Sequence, residues 1–96
     1  MKMNLKNIHQ EDKDIQTALL RTVEEGKVVS LQINKGKVLK EHITKTPAIL
    51  ICINGKAIYE EKSREVKLKK GSYVMIEPNI THKVTAIKKS NFILIK

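Results

Sequence analysis

The chain has no tryptophan and one cysteine, and its only phenyl or phenol rings are Tyr59, Tyr73 and Phe92. Each scarcity removes a class of protein. Cys52, being alone, can form no internal disulfide and no cysteine zinc cluster, so neither an oxidising compartment nor a zinc finger is implied. Three rings provide no stacking platform of the kind that single-strand nucleic-acid binders place under successive bases. No apolar run approaches the roughly 20 residues that a membrane span requires. The N-terminal MKMNLKNIHQEDKDIQ has neither a continuous apolar stretch nor a small-residue cleavage site. The expectation is a cytoplasmic protein with no membrane partner. Ser30 and Ser63 have no matched base or nucleophile-elbow sequence, and no glycine loop has the phosphate-cradling form.

Arginine is scarce too. The net charge is +9, yet seventeen of the nineteen basic residues are lysine, and only Arg21 and Arg64 carry the forked guanidinium suited to phosphate and base contacts. The lysines are scattered along the sequence, with the pairs Lys69-Lys70 and Lys88-Lys89 in turn-like stretches. Seventeen lysines beside thirteen isoleucines match the amino-acid bias of an AT-rich genome. Nucleic acid is therefore not the expected partner, and the charge reads as general surface solvation.

What is present is a small β protein. Ninety-six residues make a single domain that buries about two-thirds of the surface its unfolded chain exposes. From Val28 onward, β-branched runs alternate with turns: VVSLQIN (28–34), VLKEHI (38–43), AILICI (48–53), KAIYEE (56–61), VKL (66–68), SYVMIE (72–77), HKVTAIK (82–88) and NFILIK (91–96). Asn54-Gly55 between the third and fourth runs is a strong two-residue hairpin signal. Strands at this spacing indicate a sandwich or barrel. The first quarter admits two readings. Ile15, Ala18, Leu19, Thr22 and Val23 recur with helical spacing, whereas LLRTV (19–23), Glu24-Glu25-Gly26 and the next run read as two strands around a tight turn. The hairpin is favoured because the rest of the chain is β, with a short helix before Thr17 still open. The division expected is an N-terminal arm over 1–16 and a β-barrel over 17–96.

Alternation on AILICI puts Ala48, Leu50 and Cys52 on one face and Ile49, Ile51 and Ile53 on the other. Both faces are apolar, so something must cover the second. With no helices to spare, the expectation is a homodimer that uses the outward isoleucines. Cys52 reads as a small buried core residue, and His9 as a solvated terminal one.

Two spacings carry a family resemblance. Gly36 is followed after five residues by His42, then Thr44, Ala48 and, six residues later, Gly55. Gly71 opens GSYVMIEPNITH, in which Glu77 and Asn79 flank Pro78 and His82 ends the run, with Ala86 four positions on. Over Gly36 to Ala86, about half of the chain, this resembles the two motifs of a minimal single-domain cupin of the RmlC-like type. The resemblance implies an all-β fold, a double-stranded β-helix or jelly-roll barrel.

In cupins the motif histidines and glutamate hold a divalent metal such as iron, manganese, nickel, zinc or copper. Here only His42 and His82 match. Thr44 and Ala48 stand where a histidine and the glutamate belong, and Glu77 and Asn79 where the second motif has proline and glycine. Two neutral imidazoles supply neither the third bond nor the negative charge of a two-His-one-carboxylate face. Cys52, roughly 13 Å from Ala48 along an extended strand, is too deep to help, which leaves Glu77 as the candidate third donor. The implied pocket is lined by His42, Thr44, Ala48, Tyr59 and His82, with Tyr59 either packing the wall or offering its phenol, and the histidines either hydrogen-bonded or metal-bound. Three functions follow, in order: a module binding a small, anionic ligand; a metal-dependent enzyme of dioxygenase or isomerase type on His42 and His82, with water or Glu77 completing a zinc, nickel, iron or manganese site; and a non-catalytic dimeric scaffold.

Overall fold

The structure, a computed structural model, describes residues 5–9, 13–23 and 26–96, without the side chains of residues 6, 7, 23, 41 and 42. One helical turn, α1 (Leu5–Ile8), precedes nine strands: β1 (Ile15–Val23), β2 (Gly26–Ile33), β3 (Val38–His42), β4 (Ala48–Asn54), β5 (Lys56–Glu61), β6 (Glu65–Lys69), β7 (Tyr73–Ile76), β8 (His82–Ala86) and β9 (Ser90–Ile95). They form two antiparallel sheets, one ordered β1-β2-β9-β4-β7 and the other β3-β8-β5-β6. Chain neighbours fall mostly in opposite sheets, and this repeated crossing is the jelly roll that the motif spacing implies.

The N-terminal ambiguity resolves as strand. β1 starts at Ile15 and pairs with β2 from Ile15↔Ile33 to Val23↔Gly26, with a bulge between Leu19 and Arg21. The helical spacing of Ile15, Ala18 and Leu19 loses because β2 offers this segment an edge to pair with. A short helix does occur earlier, at Leu5–Ile8.

The reading of Asn54-Gly55 as a hairpin turn is corrected. β4 pairs with β7 and β9, while β5 pairs with β6 and β8, so the two residues turn a corner from one sheet to the other. Among the described non-glycine residues only Asn79 has positive φ, so Asn54 does not adopt the type I′ conformation. Gly55 is required there for two reasons. Its φ is +94°, and a Cβ would lie 2.5 Å from the Lys89 carbonyl oxygen and collide with Ser90. Asn54 Oδ1 accepts the Asn91 N–H at 3.1 Å, tying the corner to β9.

The core lies between the sheets. Leu31, Ile33, Leu50, Cys52, Leu68, Val84 and Phe92 are at most 2 % exposed, so the inward face of AILICI is the one with Ala48, Leu50 and Cys52. Ile49, Ile51 and Ile53 point outward and are half-buried. On the same outer face, cross-strand pairing places Ile49 between Met75 and Ile95, and Ile51 between Tyr73 and Ile93. His9, read from sequence as solvated, is instead 8 % exposed, with Nε2 2.8 Å from Ser30 Oγ on β2. The N-terminal arm therefore lies across the β2 part of this outer face, because a buried serine hydroxyl there needs a partner.

Candidate functional site

Three strands meet in register at one end of the four-stranded sheet. His42 on β3 and Glu61 on β5 stand on either side of His82 on β8. Inward alternation on β5 runs Ala57, Tyr59, Glu61, and on β8 His82, Val84, Ala86, so the ionisable groups sit where the core gives way to the barrel end. The side chain of His42 lies outside the described residues.

His82 is 2 % exposed and its Nδ1 is 3.0 Å from the Ile80 carbonyl oxygen. A carbonyl only accepts, so Nδ1 carries the proton, and Nε2 holds the lone pair in the neutral ring. The ring stacks on Tyr59, with centroids 5.5 Å apart and planes 28° from parallel. That contact fixes the imidazole plane from one side while Ile80 fixes its rotation.

Tyr59 is fully buried and donates its hydroxyl to Glu61 Oε2 at 2.5 Å. Arg64 closes the other side of this carboxylate with a fork, Nε to Oε1 and Nη2 to Oε2, each 3.0 Å. Nη2 also donates to the Met75 carbonyl at 2.6 Å, so Arg64 bridges from the β5–β6 turn to β7 in the other sheet. The guanidinium carbon is 5.7 Å from the Tyr59 ring centroid. Hydrogen bonds from Arg64, joined by that from Tyr59, hold the Glu61 carboxyl below its ordinary range, against the opposing effect of burial. Burial first, then the hydrogen bond and charge of Glu61, push the Tyr59 phenol well above its ordinary range. Tyr59 is therefore a neutral donor, not a base.

Thr44 joins the two motifs. Its carbonyl accepts the Asn79 N–H at 2.8 Å, and Asn79 adopts φ 64° in the turn after Pro78, a conformation that asparagine tolerates. Thr44 Oγ1 is buried with no hydrogen-bond partner among the described residues. Beside the histidine row, Glu60, Glu61, Lys62, Thr81, His82 and Lys83 line a cleft of about 430 Å³. Ala48 and Tyr59 belong to the packed core. Glu77 is exposed and lines a different cleft of about 320 Å³, with Pro47, Ile49 and Met75.

These donors do not fit a tight divalent-metal centre. Among the described residues no three His, Cys, Asp or Glu converge, Ala48 offers a methyl, and Glu77 faces another cleft. The carboxylate nearest His82 in register, Glu61, already accepts three hydrogen bonds from Tyr59 and Arg64. Cys52 lies in the core, where burial raises its thiol above its ordinary value.

Glu61 and Arg64 were missed by the motif reading, which has no position for either. A signal was available: if Tyr59 points inward, Glu61 two residues on must do so as well. A carboxylate on an inward face needs a cation, and Arg64 is three residues away.

No protein-family model and no curated protein matches the sequence. Solved structures do match. A cupin superfamily protein from Desulfitobacterium hafniense superposes with a TM-score of 0.86 at 11% identity, over 96% of this chain and 84% of that one. An RmlC-like cupin from Desulfovibrio desulfuricans gives 0.83 at 17% identity, over 99% and 94%. A cupin-like protein from Thermotoga maritima gives 0.78 at 28% identity, over 85% and 67%. The chain is a small cupin-fold domain.

Proposed function

We propose that this chain is a binding module for a small anionic ligand, a carboxylate, held at the His82 end of the barrel. The observation that carries this reading is the posture of His82, stacked on Tyr59 and hydrogen-bonded to Ile80 beside a cleft whose other cationic side chains are Lys62 and Lys83. A carboxylate only accepts, so it binds the doubly protonated ring, whose plane Tyr59 and Ile80 have already set. Glu61 adds no competing free charge, since Arg64 and Tyr59 occupy it. Lys83 lies 3.6 Å from Glu60, which leaves Lys62 as the more available ammonium. A cleft of about 430 Å³ suits a molecule of metabolite size.

The test is a thermal-shift screen of small mono- and dicarboxylates. Stabilising carboxylates should lose their effect in His82→Gln and weaken in Lys62→Ala, the second being an exposed change that leaves the core intact. Carboxylates that stabilise both variants as well as wild type would sink this reading. The metal-enzyme alternative has the in-register backbone pairing of His42 with His82 in its favour, but lacks a converging third donor among the described residues. The chain also acts as a homodimer in this proposal, through the outer face where Ile49, Ile51, Met75 and Ile95 adjoin. Those side chains are in register on three neighbouring strands, and Met75 is 58% exposed in the monomer, which supports a second copy as their cover.

A further inference from the structure

The lysines that look scattered in the sequence are gathered by the topology. Strands β2, β4, β6 and β8 all run toward the end of the barrel opposite His82, so the turns that follow them share that end. The β2–β3 turn carries Lys35 and Lys37, the β6–β7 turn Lys69 and Lys70, and the β8–β9 turn Lys88 and Lys89, with Lys56 opening β5. Backbone bonds stitch these turns together: Gly36 N–H to the Ala86 carbonyl, Gly71 N–H to Cys52, and Ile87 N–H to Lys56, each 2.8 Å. All seven lysines are exposed. Among the described residues the only carboxylate at this end is Asp14, 3.7 Å from Lys37. At the opposite end the signs are mixed, with Glu61, Glu65 and Glu77 alongside Lys45, Lys62 and Arg64.

We infer that this lysine pole docks the protein on an anionic lipid surface. A set of turn tips at the end of a barrel is a convex face, which meets a plane with many residues at once. The cleft of about 770 Å³ at its rim, beside Lys37, Val38 and Lys40, also holds Asp14, whose carboxylate disfavours a phosphodiester strand there. The pole's charge comes from lysine alone, a point cation that attracts phosphate without reading bases. Ile87, 48% exposed and bonded through its N–H to Lys56 at the centre of the pole, and Val38, 39% exposed at the start of β3, add apolar side chains to the cationic surface. Nucleic-acid phosphates have no use for them, whereas the headgroup boundary of a bilayer buries such groups. Attraction to an acidic leaflet is worth about 1 kcal/mol per lysine, so several acting together give useful binding even at modest lipid charge. The pole and the His82 cleft lie at opposite ends of the barrel, so a docked molecule keeps its ligand site open to solvent.

Co-sedimentation of the full chain with vesicles of phosphatidylcholine and phosphatidylglycerol tests this, against vesicles of phosphatidylcholine alone. Wild type should bind only the anionic vesicles and release as salt rises. A quadruple variant, Lys69→Gln, Lys70→Gln, Lys88→Gln and Lys89→Gln, should lose on the order of 100-fold or more in affinity. A control that removes the same charge elsewhere, Lys27→Gln, Lys45→Gln, Lys67→Gln and Lys96→Gln, should lose much less, and Ile87→Ser should weaken binding with the charge intact. Thermal melts of each variant establish that it is folded. Equal loss in the two quadruple variants would reduce the effect to net charge and overturn the proposal. So would no binding to anionic vesicles, or binding to a DNA duplex with none to vesicles at the same salt.

Discussion

Glu61 and His82 face each other across β5 and β8, the carboxylate claimed by Tyr59 and Arg64 and the imidazole stacked on that same tyrosine. The four side chains therefore form one unit in which each fixes the next. Arg64 holds Glu61, Glu61 takes the phenol proton donor of Tyr59, and the Tyr59 ring supports the face of His82. A change at an exposed arginine thereby reaches a buried histidine.

Arg64→Ala should destabilise the fold by about 1–3 kcal/mol in urea denaturation, because the Glu61 side chain is 7% exposed and would lose its cation. Tyr59→Phe should cost about 1 kcal/mol, and the double variant less than the sum, since both act on one carboxylate. Strict additivity would show that the unit does not exist. The pH dependence has a definite sign. The folded Glu61 value lies below its ordinary 4.5, so its contribution is fully present above that pH and is lost as pH falls through the folded value. Arg64→Ala should flatten that loss.

His9 acts in the same sense, over a higher pH range. Burial lowers its folded value from the ordinary 6.5, so the unfolded chain takes up the proton first and stability declines as pH falls below 6.5. Thermal midpoints of wild type should drop through this range more steeply than those of His9→Gln. Parallel curves would mean that His9 does not report on arm docking.

Gly55→Ala should be among the most damaging single-methyl additions in the chain. The new Cβ meets Ser90 and the Lys89 carbonyl, and φ +94° is one that side chains avoid. A loss of about 2 kcal/mol or more is expected, measured by urea midpoint. A hairpin glycine, free of the opposing backbone, would cost less.

Ile49→Glu should yield a species of 11.0 kDa in sedimentation, where wild type runs at twice that mass. Glutamate placed between Met75 and Ile95 puts a desolvated charge in the interface of both copies. Wild type sedimenting as a monomer at micromolar concentration would remove the dimer from the proposal.

The sequence by itself determined the strands from Val28 onward, the inward face of β4 and the cupin spacing, because alternation and turn residues are local signals that burial enforces at each strand. It also determined that Ala48 has no donor to offer a metal. Tertiary structure decided what those signals leave open. A turn residue says where the chain reverses but not which strand it then joins, so Asn54-Gly55 became a corner between sheets and not a hairpin. The partner of His9 is Ser30 on β2, 21 residues away, which no local pattern encodes. The lysines of three turns and of the start of β5, far apart along the chain, share one pole because antiparallel strands return every second turn to the same end.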